Sequence, residues 1–206
     1  YSDGVFSPSE VVRLADEAGC DLFALTDHDT TDGLNEARQT ADKLSVDLVS
    51  GVEISAFWRN MTIHIIGLDI DINNDILQAG LVHNQQLRKE RAEKIALGLW
   101  RAGIKDALEK TQALSKTDML TRTHFAQMLI GEGYCKDMKS VFRRYLTGKK
   151  PGGIRVEWKN IDEVVGWIHA AGGQAVLAHP FRYRMTQTKI KNMLMDFKEV
   201  LGDGVE

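Results

Sequence analysis

Four apolar stretches constrain the fold of this chain most, because each carries a histidine or a carboxylate at its end or in an alternating pattern. In the first, Leu22–Leu25 is followed at once by Thr26-Asp27-His28-Asp29. The stretches are 22–25, 47–54, 62–69 and 174–178, and their polar side chains are His28, Glu53, His64 and His179. Short apolar runs of this kind predict β-strands, and functional groups of α/β sheets collect where strands end in loops. We therefore expect these four side chains to meet.

Helical segments separate the first two strands and flank the last. The capping box Ser7-Pro8-Ser9-Glu10 predicts the start of a helix, and the apolar spacing of residues 33–44 predicts another. Two more helices are predicted at about 160–171 and 188–201. Strands and helices in this order favour an α/β fold with a parallel sheet or barrel. We expect the strand 22–25 to be buried.

Residues 76–150 differ from the rest in periodicity and charge. The pattern of residues 76–147 is helical and predicts helices at about 76–101, 105–114, 122–131 and 137–146, and residues 148–153 are predicted to form a loop. From residue 84 to 150 there are 15 lysines and arginines against 7 aspartates and glutamates, whereas the remainder holds 11 against 22. We predict a basic helical insertion domain at 76–150, within a discontinuous α/β domain formed by 1–75 and 151–206. A basic region can hold a phosphorylated or nucleic-acid partner; the alternative is an ordinary solvated surface.

No apolar stretch approaches the ~20 residues that a membrane helix needs. The two cysteines, Cys20 and Cys135, are far apart in sequence and form no CxxC motif. This usage fits a reducing compartment, so we expect a cytoplasmic protein in which both cysteines are buried thiols. The chain opens without methionine and ends in Gly204-Val205-Glu206, which reads as the start of a strand. We therefore expect an internal fragment of a longer protein.

Histidine and carboxylate ligands drawn from separate segments suit zinc, manganese or iron, unlike the closely spaced ligands of a zinc finger. Each residue also has a structural alternative, since a histidine can be satisfied within a turn or a strand. Glu53 requires a partner in any case, because burying a lone carboxylate is costly. Asp3 in Ser2-Asp3-Gly4 is either a further ligand or a turn residue. His83 and His169 lack the pattern, and we interpret them as solvated and structural.

Five segments together resemble the PHP family, the polymerase and histidinol phosphatase group of metal phosphoesterases. They are Ser2-Asp3-Gly4, Thr26-Asp27-His28-Asp29, Gly51-Val52-Glu53-Ile54-Ser55, His64-Ile65-Ile66-Gly67 and Ala178-His179-Pro180. Their order and spacing fit the family across nearly the whole chain. The segments 121–125 and 145–149 are similar to the bacterial ribonuclease AM group of this family. Members of that group act as 5′-to-3′ exoribonucleases and as 3′,5′-nucleotide bisphosphate phosphatases.

This resemblance implies a distorted (βα)7 barrel, incomplete here, with an inserted small helical domain. It also implies a cluster of up to three divalent ions of manganese, iron or zinc. By position in the family motifs, the metal ligands would be Asp3, His28, Glu53, His64 and His179. Glu53, His28 and His179 would also be catalytic, with Glu53 bridging two ions beside the activated water. The family's opening His-x-His and closing Asp-x-His motifs are absent from the chain, which bears on its metal occupancy and activity.

Hydrolysis of a phosphate ester needs a nucleophilic hydroxide, neutralised phosphoryl charge and a stabilised leaving oxygen, and clustered divalent ions supply all three. We predict that Arg122 grips a substrate phosphate, because its planar fork pairs two oxygens at once, and that His124 touches the same group. Arg88, Arg91 and Lys149 are predicted to meet phosphates or an RNA backbone. The alternative for these basic residues is a solvated surface.

The predicted function is a metal-dependent hydrolase of nucleotide phosphates, acting as a 5′-to-3′ exoribonuclease on short RNA, as a 3′,5′-bisphosphonucleotide phosphatase, or as both. The expected partner is a nucleotide or short RNA, with no DNA-specific motif and no membrane. One alternative is a phosphatase of another small phosphomonoester such as histidinol phosphate, although the basic insertion favours a nucleotide. Another is a non-catalytic metal-stabilised or nucleic-acid-binding module, although the five family ligand positions covered by the chain are all filled.

Overall fold

The computed structural model describes residues 6–115, 117 and 119–206, and this part of the chain divides into two compact units. The first unit comprises residues 6–84 and Glu157–Glu206, and the second comprises Gln85–Val156. That the two units are a partial barrel and an insertion domain stays a prediction.

The first unit has a mixed α/β fold built on a five-stranded sheet with the strand order β1-β2-β3-β4-β5. The strands are β1 (Leu22–Leu25), β2 (Asp47–Trp58), β3 (Met61–Leu68), β4 (Gln174–Leu177) and β5 (Gly204–Val205). β1 and β2 are parallel, as are β4 and β5, but β3 is antiparallel to both of its neighbours. The expectation of a parallel sheet was therefore wrong in its centre. Arg59 and Asn60 both have positive φ, which closes a two-residue hairpin and returns β3 alongside β2.

Eight α-helices are found in the described part of the chain. They are α1 (Pro8–Glu17), α2 (Leu34–Ala41), α3 (Asp75–Arg101), α4 (Ala107–Leu114), α5 (Arg122–Gly131), α6 (Met138–Val141), α7 (Ile161–Ala170) and α8 (Gln187–Glu199). A π-helical turn, Phe142–Leu146, continues α6, and a 3-10 turn, Pro180–Arg182, follows β4. The predicted capping box begins α1, since Ser7 Oγ accepts from Glu10 N and Glu10 Oε2 accepts from Ser7 N. Among the described residues, no helix is long and apolar enough to span a membrane.

The core of the first unit forms where one face of β2 and β3 packs on α7. Ile54, Ile63 and Ile65 have no solvent exposure, and Ile168 of α7 belongs to the same cluster. Because side chains alternate along a strand, the residues between these isoleucines point to the opposite face. That alternation places Glu53 of β2 and His64 of β3 on the face away from this core.

β1 is less buried than its sequence predicts. Leu22 is 66% exposed, and the other three residues of the strand are half-buried. The expectation of a buried strand was wrong because β1 lies at the edge of the sheet, where β2 is its one described neighbour. Cys20 corrects a second expectation: it is exposed in the turn between α1 and β1, whereas Cys135 is buried as predicted.

The second unit is helical in its described residues and has its own core. Leu99, Phe125, Leu129 and Leu146 are almost completely buried in it. A tight turn at residues 147–153 folds back on the π-helical turn, where Gly152 N donates to Tyr145 O at 2.7 Å. The predicted helices at 105–114, 122–131 and 137–146 are all present, with the last one divided into α6 and the π-helical turn.

Candidate metal centre

Four of the five predicted ligands converge on the carboxylate of Glu53. His64 Nδ1 lies 2.7 Å from Glu53 Oε1, and His179 Nε2 lies 3.0 Å from the same oxygen. His28 Nδ1 lies 3.6 Å from Glu53 Oε2. Ligand atoms of His28, Glu53 and His64 all lie within 4.8 Å of one another. The fifth predicted ligand, Asp3, lies outside the described residues.

His28 reaches Glu53 because the parallel pairing of β1 and β2 continues past the end of β1. Glu53 N donates to Asp27 O at 3.0 Å, and Asp29 N donates to Glu53 O at 2.9 Å. Together these bonds make His28 and Glu53 an isolated bridge pair. Gly51 permits the close approach, since a Cβ there would lie 2.8 Å from Thr26 Cγ2 and 3.1 Å from Leu25 O.

His64 reaches Glu53 through the antiparallel register of β2 and β3. Ser55 is directly opposite His64, and Glu53 is opposite Ile66, so Glu53 and His64 are diagonal neighbours on one face. Tyr183 Oη accepts a hydrogen bond from His64 N at 2.8 Å. Burial raises the pKa of Tyr183, and the negative charge of Glu53 adds to the increase, so this phenol stays neutral.

His179 enters the site from the end of β4. Its φ of 33° lies in the left-handed region, which turns the chain sharply into the 3-10 turn. Its backbone N–H donates to Glu206 Oε2 at 2.9 Å, and its ring lies 5.4 Å from that of Tyr183. Nδ1 of His179 is buried and has no hydrogen-bond partner among the described residues.

Glu53 is the electrostatic centre of the cluster. Burial alone would raise the pKa of its carboxyl, but hydrogen bonds from His64 and His179 and the nearby charge of His28 and His64 lower that pKa to about 2. Its side chain is only 16% exposed, and those of the three histidines are 20% to 24% exposed. Glu53 is therefore an ionised, shielded carboxylate ringed by imidazoles.

The donor set fits a divalent metal ion. Imidazole nitrogens and a carboxylate are the ligands that zinc, manganese and iron share, and the unpaired buried nitrogen of His179 fits a group outside the chain. The partial exposure of the four side chains leaves the cluster open to a substrate. Such a site is a candidate metal centre for hydrolytic chemistry.

Sequence reasoning missed the residues that hold the ligands in place. Tyr183 and Glu206 bind the backbone of His64 and His179, and neither has a pattern that marks it. Asp29 and Asn84 did have a signal. Asp29 is a charged residue directly after an apolar strand, and Asn84 continues the buried stripe of Leu77 and Leu81 on α3.

Three of the predicted substrate-binding residues form a cluster in the second unit. Arg88 is buried and Arg91 is half-buried on α3, and Arg122 begins α5. Burial lowers the pKa of Arg91, as do the positive charges of Arg122 and Arg88. Arg122 also lies over the ring of Phe142, with its Cζ 5.7 Å from the ring centroid. The charges of three neighbouring arginines are an arrangement that a bound anion would stabilise, but substrate binding by these residues stays a prediction.

The other two predicted substrate contacts have different surroundings. His124 is buried, and its Nδ1 accepts a hydrogen bond from Thr121 N at 3.1 Å in a capping box that begins α5. Lys149 is exposed in the turn at 147–153, and no described contact joins it to the arginines. Substrate binding by His124 and by Lys149 stays a prediction.

Comparison with known proteins agrees with the geometry. The PHP domain family matches residues 1–202. The chain is 42% identical over its whole length to the 3′,5′-nucleoside bisphosphate phosphatase of Chromobacterium violaceum, of which it covers 72%. It is 39% identical, again over its whole length, to the 5′-3′ exoribonuclease Rnm of Escherichia coli, of which it covers 71%.

Two solved structures are similar to the chain. An amidohydrolase from Chromobacterium violaceum with bound sulfate and no metal has a TM-score of 0.95 and 42% identity, and the match covers 99% of this chain and 72% of the other. A structure from Bifidobacterium adolescentis, described as a metal-dependent phosphoesterase, has a TM-score of 0.85 and 25% identity. That match covers 100% of this chain and 73% of the other.

Proposed function

Because this chain belongs to the PHP domain family, we propose that it is a divalent-metal-dependent phosphoesterase of nucleotide phosphates. Its substrates are the 5′ end of short RNA, 3′,5′-bisphosphonucleotides, or both. The observation that carries this proposal is the convergence of His28, His64 and His179 on the ionised carboxylate of Glu53. The relatives named as a nucleoside bisphosphate phosphatase and an exoribonuclease support the substrate class.

The proposed fold of the two units follows that of the family. The first unit is part of a distorted (βα)7 barrel, and the second unit is a helical domain inserted into it. The mixed sheet of the first unit and the helical core of the second support this division.

His28, Glu53, His64 and His179 would hold the metal ions together with Asp3, and manganese, iron and zinc all suit this donor set. When bound, such ions lower the pKa of water and neutralise the charge of the phosphoryl group. The chain's own contribution is orientation and charge. Because the pKa of Glu53 is about 2, its carboxylate stays ionised and keeps two imidazole nitrogens directed at Oε1 at neutral pH.

Arg88, Arg91 and Arg122 would bind a phosphate of the substrate. The guanidinium group keeps its charge at neutral pH and presents a planar fork of donors to an oxyanion. Burial and the charges of Arg122 and Arg88 lower the pKa of Arg91, and a bound oxyanion would offset both effects. The sulfate in the similar structure from Chromobacterium violaceum is an anion of this type.

Phosphate release from a panel of substrates tests the proposal. The panel contains adenosine 3′,5′-bisphosphate, a short 5′-phosphorylated RNA and histidinol phosphate, each with Mn²⁺, Fe²⁺ or Zn²⁺ and each with EDTA. We expect metal-dependent release from the first two substrates. The variant Glu53→Gln should lose activity by about 100-fold or more, because it removes the charge at the centre of the ligands.

The matched control is Glu199→Gln, which changes an exposed carboxylate at the end of α8 and should keep wild-type activity. If histidinol phosphate is the one substrate hydrolysed, the proposed nucleotide substrates are wrong and the proposed phosphoesterase activity is retained. If no phosphate is released from any of the three substrates, with or without metal, the proposed enzymatic activity is overturned and a non-catalytic binding module is favoured.

A further inference from the structure

Asp29 is a charged residue that has no solvent exposure, and the ligand chemistry described above does not use it. Its carboxylate lies among donors from two elements. Oδ1 accepts from Ser55 N and from Asn84 Nδ2, each at 2.8 Å, and Oδ2 accepts from Ser55 Oγ at 2.9 Å. Asn84 Nδ2 also donates to Ser55 O at 2.9 Å. Hydrogen bonds to a charged acceptor of this kind are the strong ones in proteins.

These bonds complete the pairing of β1 with β2 where the backbone can no longer do so. The ladder beyond β1 runs from Glu53 N to Asp27 O and from Asp29 N to Glu53 O. In a regular parallel ladder the next bond would run from Ser55 N to the carbonyl of Asp29. Asp29 instead has a φ of 51°, which turns the backbone away, and its side-chain oxygen takes that amide hydrogen.

The side-chain oxygen of Asp29 replaces the backbone carbonyl close to two proposed ligands, because His28 directly precedes Asp29 and Glu53 lies two residues before Ser55. The carboxylate therefore fixes the loop that carries one proposed ligand against the strand that carries another. Asn84 of α3 donates to the same carboxylate, so α3 is also hydrogen-bonded to this loop. A positive φ is unfavourable for a residue with a side chain, so the loop needs such anchoring to keep this conformation.

We propose that Asp29 is a positioning residue, whose bonds to Ser55 and Asn84 set the distance between His28 and Glu53 for metal binding. This inference rests on the proposed function of the site. Asp29 acts through geometry and hydrogen bonding, without contact to metal or substrate. An asparagine would preserve the arrangement, since its oxygen can accept from Ser55 N and its amide can donate to Ser55 Oγ.

Mn²⁺ affinity, kcat and KM, measured on the protein and four variants, test this role. Asp29→Ala should weaken Mn²⁺ binding and lower kcat by about 10- to 100-fold, the usual effect of losing a residue that orients a metal ligand. KM should change little, because Asp29 does not touch the substrate. Asp29→Asn should stay within about threefold of wild type in both quantities, because its hydrogen bonds are retained.

Asp32→Ala is the matched control, since it removes an exposed carboxylate from the same loop. Asn84→Ala removes the hydrogen bonds to Asp29 Oδ1 and Ser55 O but leaves the two bonds between Asp29 and Ser55. It should therefore give a smaller loss in the same direction, which keeps the inference testable if Asp29→Ala does not fold. A lower Tm with unchanged Mn²⁺ affinity would make Asp29 merely structural and overturn the inference. Equal losses in Asp29→Asn and Asp29→Ala would also overturn it, because charge would then be what matters.

Failure of the proposed function has a different signature. A wild-type protein that binds Mn²⁺ but hydrolyses none of the phosphate esters would end the phosphoesterase proposal, and the affinities of the variants would still decide the role of Asp29. A wild-type protein that binds no Mn²⁺ would overturn both.

Discussion

Nδ1 of His64 lies 2.7 Å from Oε1 of Glu53, and the two residues are diagonal neighbours across the antiparallel pair β2 and β3. Two extended strands therefore hold this histidine and this carboxylate in contact through regular backbone pairing. Alternation puts Ile54, Ile63 and Ile65 on the opposite face, where they have no solvent exposure. The packing of that core thus fixes the geometry of half of the candidate metal centre.

Removal of the His64 imidazole should weaken the site without unfolding the protein. His64→Ala is expected to lower Mn²⁺ affinity and kcat by at least about 10- to 100-fold, because a ligand directed by a rigid strand is lost. Metal content by elemental analysis and calorimetric titration with Mn²⁺ measure the effect. His83→Ala is the control, since His83 is exposed on α3. Equal metal binding by the two variants would show that His64 is not a metal ligand.

Glu53 predicts how the stability of the metal-free protein depends on pH. The pKa of Glu53 is about 2 in the folded chain, below its ordinary value of 4.5. A carboxylate with a depressed pKa stabilises the fold above its ordinary pKa, and this stabilisation is lost as the pH falls through the folded value. The free energy of unfolding should therefore decrease between about pH 5 and pH 2, by at most about 3 kcal/mol from this group.

Denaturant unfolding in EDTA over this pH range measures that decrease. Glu53→Gln should flatten the pH dependence, since a glutamine side chain does not titrate. Glu199→Gln should keep the wild-type slope, because that carboxylate is exposed. Identical slopes in the two variants would mean that the histidines do not stabilise the charge of Glu53.

The sequence was sufficient to predict which residues meet but not how they are held. Polar residues at strand ends and within an alternating strand predicted the meeting of His28, Glu53, His64 and His179, and the structure brings all four together. This succeeded because strand periodicity is a local property. Tyr183 and Glu206 bind ligand backbones from more than 25 residues away in the chain, and no local pattern marks such a contact.

The direction of β3 also could not be predicted from strand and helix order. It depends on Arg59 and Asn60, whose positive φ values make a tight hairpin, although arginine is not a residue that marks such a turn. The exposure of Leu22 has a similar cause, because an apolar residue in an edge strand looks like a buried one in sequence. In both cases the tertiary setting overrides the local signal.

The surroundings of Arg91 predict that its positive charge lowers the stability of the protein but favours the binding of an anion. Burial and the charges of Arg122 and Arg88 disfavour its protonated form, as its lowered pKa shows. Arg91→Met keeps much of the side-chain volume and removes the buried charge, so its Tm should equal or exceed that of wild type in buffer without oxyanions. Inorganic phosphate should raise the Tm of wild type and have a smaller effect on the variant.

Arg101→Met serves as the control, because Arg101 is exposed at the end of α3 and should leave the phosphate response intact. A clear drop in the Tm of Arg91→Met, combined with a wild-type phosphate response, would show that Arg91 is a structural residue. Loss of the phosphate response in both variants would point to nonspecific charge screening.

The basic residues that follow α5 predict that RNA and mononucleotide substrates respond differently to salt. Lys136, Lys139 and Arg143 are exposed, and the described ion pairs include none of them. Lys136 and Arg143 act on the carboxyl of Asp137, whose pKa is lowered by backbone and side-chain hydrogen bonds from Ser140 and by these two charges. The three exposed cations still outnumber this one carboxylate, and such a group attracts a phosphate backbone and releases its counterions on binding. KM for a short 5′-phosphorylated RNA should therefore rise more steeply with NaCl concentration than KM for adenosine 3′,5′-bisphosphate, which has fewer phosphates to contact.

The double variant Lys136→Glu/Lys139→Glu separates this effect from ionic strength in general. It should raise KM for the RNA and reduce the slope of log KM against log [NaCl] by about one unit per lost phosphate contact, while KM for the mononucleotide stays the same. Lys43→Glu reverses an exposed charge in the first unit and should change neither slope. Parallel slopes for the two substrates in the wild-type protein would show that the RNA chain beyond its 5′ end is not held by this surface.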